Sequence, residues 1–232
     1  MENIAPEKVQ RESSIAIEDG CSVGRALGVL WNIENDALGF RIELQDTPLT
    51  RRGVLSTISS IFDPLGFAGP FLLEAKIVLQ SIVKERCSWD DPLSDLQQSR
   101  WQKWRLSITK LGGLEIRRCF KTCAKNVKQV TIHCFSDASE VGYGQASYVQ
   151  TQYEDDSVDV VLAMAKTKVA PTKPITIPRL ELTAAVVSSR IASLLVKELR
   201  MNVDVRFWTD SKIVLGYIFN ESKRFRVLWL IV

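Results

Sequence analysis

The sequence predicts a mixed α/β fold in which the C-terminal half forms a sheet with flanking helices. Two observations lead to this prediction. From about residue 128 the hydrophobic period is two, and QVTIHCFSD, GYGQASYV and DVVLAMAK alternate as successive strands do. A segment with helical spacing of its apolar residues, a fourth strand-like segment (VDVRFWTD) and a second segment with helical spacing then follow. The order β-β-β-α-β-α favours a mixed sheet with helices on its faces.

The helices of this half are predicted from their apolar spacing and their start signals. The segment IPRLELTAAVVSSRIASLLVKEL has helical spacing, and Pro178 suits the first turn of a helix. The segment SKIVLGYIF follows the fourth strand and predicts a second helix.

Residues 25–125 are predicted to be mainly helical after an initial β-hairpin. Asn35-Asp36 supplies the hairpin turn, and Thr50 can cap a first helix that continues up to DPLGFAGP. The segments FLLEAKIVLQSIVKERCSW and LSDLQQSRWQKWRLSITKL predict two amphipathic helices. The apolar residues expected on the hairpin strands, and the tryptophans expected to face the core, are Val29, Trp31, Phe40, Ile42, Leu44, Trp101 and Trp104.

Composition sets outer limits on the protein class. Of 232 residues, 46% are hydrophobic and 25% charged, which suits one large domain or two small ones. A net charge of +3 does not by itself identify a nucleic-acid partner. Residues 1–24 are polar and predict a loosely ordered lead-in. Without an apolar signal segment, and with five scattered cysteines, we expect an intracellular protein, cytoplasmic or nuclear.

Three acidic residues stand at the ends of predicted elements. Asp137 ends the first strand, Glu181 lies in the first turn of the long helix, and Asp210 ends the fourth strand. Each has a local alternative: an Asx turn between Asp137 and Ser139, a helix cap by Asp210, and a response of Glu181 to the positive helix end.

Taken together, the three acids suggest a metal site. Carboxylates that converge at one sheet edge repel one another unless cations neutralise them. Such hard oxygen ligands suit Mg²⁺ or Mn²⁺ rather than zinc. Two such ions are a standard device for phosphodiester hydrolysis.

The ordered set FSDAS, GYG, PRLEL and WTDS resembles the ribonuclease H domain of reverse-transcribing elements. The sequence is most similar to the Pao (BEL/Pao) class of LTR retrotransposon polyproteins, because it also contains the segments TRRGVLSTISSIFDPLGFAGPFLLEAKIVLQ, WDDPL and AKTKVAPTKPITIPRLEL. The resemblance runs from about Leu27 to Phe219. Single motifs such as TDS are weak, whereas the ordered set is specific.

This resemblance implies a fold, an activity and a site. It implies a ribonuclease H-like domain at 128–232, preceded by the end of a polymerase palm with thumb and connection at 25–125. Asp137, Glu181 and Asp210 match the first three metal-binding acids of the family, which cleaves the RNA strand of RNA–DNA hybrids with Mg²⁺ or Mn²⁺. The paired polymerase aspartates have no counterpart here, so polymerisation is not expected. The ancestral partner is the remainder of a retroelement polyprotein.

Basic residues precede Glu181 and suggest contact with nucleic acid. They can bind phosphates beside the metal site, or they can simply belong to a solvated loop. Tyr143 and Trp208 can approach a substrate, but we expect them mainly to pack against other residues of the protein. The basic residues, all within KTKVAPTKPITIPR, are Lys166, Lys168, Lys173 and Arg179.

The resemblance also implies a fourth acid on a later helix. The chain ends about twenty residues past Asp210, so we expect a truncated ribonuclease H-like domain and an incomplete two-metal site. Two main hypotheses stay open: a magnesium-dependent endonuclease, or a catalytically inactive retroelement remnant that retains nucleic-acid binding or only the fold. A structural α/β scaffold is a more distant third.

Overall fold

The computed structural model describes residues 23–26, 29–121 and 125–220, and this part of the chain contains eight strands and five α-helices. The strands are β1 (Val23–Ala26), β2 (Val29–Asn32), β3 (Ala37–Gly39), β4 (Ile116–Arg117), β5 (Val127–Ala138), β6 (Gly142–Tyr153), β7 (Val158–Val169) and β8 (Asp204–Trp208). The helices are α1 (Arg51–Ser60), α2 (Gly69–Lys84), α3 (Asp95–Ile108), α4 (Ile177–Leu199) and α5 (Lys212–Ile218), and a 3₁₀ helix covers Thr109–Gly113.

The sheet formed by the last four strands, β5 to β8, is mixed, as the sequence predicts. Its strand order is β7-β6-β5-β8, with antiparallel pairs β7/β6 and β6/β5 and a parallel pair β5/β8. Helix α4 covers one face, because its apolar stripe meets the alternate apolar residues of the strands. The buried residues of this contact are Val130, Ile132, Cys134, Val149, Ala163, Ile191, Ala192 and Leu195.

The N-terminal hairpin is confirmed, with a shorter second strand than predicted. Strands β2 and β3 pair antiparallel around a turn at residues 33–36. Strand β3 ends at Gly39, one residue beyond the two that pair with β4. The prediction that Phe40, Ile42 and Leu44 lie on this strand is wrong, because these side chains follow it and pack into the helical core. The predicted lead-in falls outside the described residues up to position 22, and its last two residues belong to β1.

The helical region formed by α1, α2 and α3 contains the predicted helix cap and the predicted buried tryptophans. The hydroxyl of Thr50 accepts a hydrogen bond from the Gly53 amide at 3.2 Å and caps α1. Trp101 and Trp104 on α3 are fully buried, with ring centroids 4.4 Å apart. The indole N–H of Trp104 donates to the Phe71 carbonyl on α2 at 2.8 Å, which satisfies its polar atom inside the core.

The segment between α1 and α2 lies directly on the edge strand β7. The Ala165 amide donates to the Leu65 carbonyl at 2.8 Å. Gly66 has a φ of +79°, and a Cβ there would lie 1.8 Å from the Ala165 carbonyl oxygen. Only glycine fits this backbone conformation and this close approach. The segment therefore joins the helical region to the mixed sheet.

Two hydrogen bonds between α2 and the C-terminal end of β7 extend this contact. The Thr167 hydroxyl donates to the Gly69 carbonyl at 3.1 Å, and the Gln80 side-chain amide donates to the Ala170 carbonyl at 2.6 Å. The helical region and the sheet are thus packed together, while their assignment to separate domains stays a prediction. No helix in the described part of the chain has the length and apolarity to cross a membrane.

We expect Gly66→Ala to destabilise the protein by about 2–4 kcal/mol, because it adds both left-handed backbone strain and a clash with the backbone of β7. Urea unfolding followed by tryptophan fluorescence measures this. Gly113→Ala is the matched control, since a Cβ at Gly113 meets nothing within 4 Å, and its effect should stay within about 0.5 kcal/mol. Equal stabilities of the two variants would contradict the packing described for Gly66.

The turn of the hairpin provides a test by pH. Hydrogen bonds from Arg118 above all, then from Cys119 and Trp31, hold the pKa of Asp36 at about 2, below its ordinary value. The stabilisation is therefore present above about pH 4, the unfolded-state value, and is lost as pH falls toward 2. Asp36→Asn should be less stable than the wild type at pH 7 and equally stable near pH 2 in urea unfolding. A difference that does not change with pH would refute this assignment.

Candidate metal and nucleic-acid site

Two of the three predicted acids are brought together by the parallel pair β5/β8. In this pair Phe135 is the register partner of Trp208. Asp137 and Asp210 each lie two residues beyond that pair, at the carboxyl ends of neighbouring strands. Paired strands lie roughly 4.8 Å apart, so the two aspartates emerge at the same edge of the sheet.

Both aspartates line one open cleft of about 720 Å³. One wall is the sheet face opposite α4, and the other is the start of α2, where Pro70 and Leu73 face the sheet. Both carboxylates are exposed to solvent. Among the described residues, no lysine or arginine forms an ion pair with Asp137 or Asp210. Their negative charge therefore has no protein counterion in this part of the chain.

The local alternatives for these two aspartates are wrong. The Asp137 carboxylate accepts from the next amide, that of Ala138, at 2.7 Å, whereas the Ser139 amide donates to the Gly142 carbonyl. Helix α5 is capped by Ser211, whose hydroxyl accepts from the Val214 amide at 3.2 Å. Asp210 is therefore not the cap of α5, and Asp137 does not form the expected turn with Ser139.

Glu181 reaches the neighbourhood of Asp210 through one hydrogen bond. It lies half-buried in the first turn of α4, and its carboxylate accepts from the Ser211 hydroxyl at 2.6 Å. Because Ser211 directly follows Asp210, this bond holds the start of α4 beside the start of α5. Glu181 itself does not line the cleft.

The carboxylates fit a hard cation but do not form a closed three-residue cluster. Within the described parts of the chain, no group of three or more histidine, cysteine, aspartate or glutamate side chains is positioned to hold a metal. Magnesium commonly keeps several waters and uses only one or two protein carboxylates, which Asp137 and Asp210 can supply. The donor atoms therefore fit Mg²⁺ or Mn²⁺, and the shared site with Glu181 stays a prediction.

The predicted basic residues lie beside the cleft and not inside it. Lys166 and Lys168 are exposed on the edge strand β7, on either side of Thr167, which lines the cleft. Since side chains alternate along a strand, the two lysines point to the opposite face from Thr167. Lys173 in the following loop and Arg179 in the first turn of α4 are also exposed. Their contact with phosphate stays a prediction.

The cleft also contains aromatic side chains, of which Tyr143 and Trp208 were expected mainly to pack and Phe135 was given no role. Tyr143, Phe135 and Trp208 all line it, and Trp208 is 46% exposed. The available sequence signal was the alternation in HCFSD and in RFWTD, which places each aromatic residue on the same face as the acid two positions later. Pro70 and Leu73 had no such signal, because they come from a distant part of the chain.

Comparison with known proteins identifies a matching family and similar solved structures. The family model described as "Pao retrotransposon-like RNaseH-like domain" matches residues 50–211. No curated protein matches the chain. It is similar to a solved structure of the foamy viral protease-reverse transcriptase dRH in complex with double-stranded DNA, at 13% identity and a TM-score of 0.48. That match covers 83% of this chain and 32% of the viral chain, so this chain spans about a third of its length.

We expect Ser211→Ala to lower stability by about 1 kcal/mol, because the hydroxyl both caps α5 and donates to Glu181. Chemical denaturation of the purified protein measures the loss. Ser189→Ala, at an exposed position on α4, should change stability by less than about 0.5 kcal/mol. If both variants matched the wild type, Ser211 would not be the link between the two helices.

Proposed function

We propose, from the premise that this chain belongs to the Pao retrotransposon-like RNaseH-like domain family, that its cleft binds an RNA–DNA hybrid and hydrolyses the RNA strand with Mg²⁺ or Mn²⁺. Membership of this family and the mixed sheet with flanking helices confirm the fold class that the sequence predicts. The observation that carries the proposal is the position of Asp137 and Asp210 at adjacent strand ends, in one cleft and without an ion pair to any described lysine or arginine.

Each acidic residue has a role in this proposal. Asp137 and Asp210 would hold the cation through their carboxylate oxygens, and the Glu181 carboxylate, which accepts from the Ser211 hydroxyl beside Asp210, would be the third ligand. When bound, the cations lower the pKa of the attacking water and stabilise the leaving oxygen of the phosphodiester. The aspartates also keep a negative cleft edge, which phosphate approaches only when a cation is present.

The walls of the cleft support a nucleic-acid substrate. The cleft is open, so a polymer can pass through it, and Pro70 and Leu73 form an apolar wall opposite the sheet. Lys166 and Lys168 lie on the edge strand β7 and point to the opposite face from the cleft, so the phosphates of a strand that passes around this edge can contact them. Such contacts position a strand without reading its sequence, which suits a nuclease that acts on many sequences.

A second candidate is a nucleic-acid-binding protein without turnover. The observation that favours it is the engagement of Glu181 with Ser211, away from the cleft lining, in a chain whose described residues form no three-ligand group. In that case the cleft binds nucleic acid and a weakly held cation, but no phosphodiester is cleaved. Cleavage and cation binding must therefore be measured on the same protein.

We expect Asp137→Asn and Asp210→Asn each to reduce cleavage of an RNA–DNA hybrid by about a hundredfold or more, because each removes a charged oxygen ligand from the cation. The assay uses a hybrid labelled on its RNA strand, with Mg²⁺, and separates products on a denaturing gel. Electron paramagnetic resonance of free Mn²⁺ measures binding in parallel, and both variants should weaken it.

The matched control is Glu140→Gln, an exposed acid in the turn after β5 that does not line the cleft. It should keep both cleavage and Mn²⁺ binding. If the wild type binds Mn²⁺ and hybrid but yields no product, the second candidate is correct. If Asp137→Asn and Glu140→Gln cleave equally well, the aspartate is not part of a catalytic site.

A further inference from the structure

The open face of the mixed sheet carries an ordered ladder of side chains that leads to the two aspartates. On β5 the ladder is His133, Phe135 and Asp137, and on β8 it is Arg206, Trp208 and then Asp210. The register pairs His133 with Arg206 and Phe135 with Trp208. Successive rungs are about 6.6 Å apart, since their residues are two positions apart on each strand. The ladder therefore passes from a basic rung through an aromatic rung to an acidic one.

The aromatic rung is open to solvent. The rings of Phe135 and Trp208 are nearly parallel, with 12° between their planes and 5.9 Å between their centroids. Phe135 is 44% exposed and Trp208 46% exposed, although α4 buries the opposite face of the same strands. Two nearly parallel, exposed rings beside an acidic cleft offer aromatic surface on which a flat group can stack.

Hydrogen bonds hold Trp208 in place. Its indole N–H donates to His133 Nδ1 at 3.0 Å, and His133 Nε2 lies 2.5 Å from the Gln150 side-chain oxygen. Because Nδ1 accepts, the neutral imidazole carries its proton on Nε2 and donates it to Gln150. The planes of the His133 and Trp208 rings are 22° apart, with 5.9 Å between the ring centroids. The indole polar atom is thus satisfied within the protein, and only its ring surface remains for a ligand.

The basic rung supplies a charge that complements a phosphodiester. Arg206 is exposed on β8, on the same face as Trp208 because the two residues are two positions apart. Among the described residues, no aspartate or glutamate forms an ion pair with Arg206. A guanidinium beside an aromatic surface matches the alternation of phosphate and base along a nucleic-acid strand.

We propose that Arg206, His133, Phe135 and Trp208 form a binding platform for an unpaired nucleic-acid strand, with a base stacked on the Phe135–Trp208 surface and a phosphate on Arg206. A base exposes its flat surface to such rings only when it is not inside a duplex. The platform rests on the proposed function in one respect: the strand it holds is the unpaired continuation of the strand that enters the cleft. Its base recognition does not require a cation.

The test compares two ten-residue probes in EDTA, so that no cleavage occurs. One is a fluorescein-labelled oligouridylate and the other is an abasic ribose-phosphate chain of the same length and charge. Fluorescence anisotropy on the full chain gives both dissociation constants. The wild type should bind the oligouridylate more tightly. Trp208→Ala should raise the dissociation constant of the oligouridylate by about five- to one-hundredfold and leave the affinity for the abasic probe unchanged.

Three further variants separate stacking from charge and from folding. Trp208→Phe should retain most of the preference for bases, because it keeps an aromatic ring. Trp89→Ala removes a tryptophan of similar exposure, 42%, outside the cleft, and should bind both probes as the wild type does. Arg206→Gln should weaken both probes equally and reduce the slope of log K against log salt by about 0.7.

Equal wild-type affinity for the two probes would overturn the proposal, and so would a loss in Trp89→Ala as large as that in Trp208→Ala. A concentration-dependent dimer that excludes the oligouridylate would also overturn it, since a second copy would then cover this face. Base-dependent binding lost in Trp208→Ala supports the platform even if the same protein fails to cleave a hybrid with Mg²⁺, in which case only the proposed nuclease function fails.

Discussion

The close packing of Gly66 on the backbone of β7 is the contact on which the rest of the site depends. A glycine with positive φ lets the segment before α2 lie against Ala165, and the Leu65 carbonyl completes the contact by accepting the Ala165 amide. This fixes the start of α2 over the sheet, so that Pro70 and Leu73 become the second wall of the cleft. Without it, the two aspartates would stand on an open sheet edge and not in a cleft.

The chemistry of the cleft follows from a second constraint, the parallel pairing of β5 with β8. Parallel neighbours bring their carboxyl ends to the same edge, so the two aspartates project together after the Phe135–Trp208 pair. Two like charges that form no ion pair with the described part of the chain favour a cation between them. The same alternation that positions the acids also places aromatic and basic side chains along one face. Cation binding and strand binding are therefore consequences of one strand register.

The sequence was sufficient for the elements and insufficient for the contacts between distant segments. Local periodicity predicted the order of strands and helices along the C-terminal half, the long helix and the buried pair Trp101 and Trp104, because side-chain spacing reports directly on which face is covered. It extended the hairpin through Leu44, since alternating apolar residues do not distinguish a strand from an irregular segment that packs on helices, as Phe40, Ile42 and Leu44 do. It also assigned no role to Ser211 in joining α4 to α5. The wall formed by α2 depends on tertiary packing that no local pattern encodes.

The central claim, that Asp137 and Asp210 share a divalent cation, is tested most directly by anomalous diffraction from crystals of this protein soaked in Mn²⁺. The account predicts an anomalous peak in the cleft within coordination distance, about 2.0–2.2 Å, of carboxylate oxygens from both aspartates. A peak at another position, or no peak in the cleft at millimolar Mn²⁺, would contradict it.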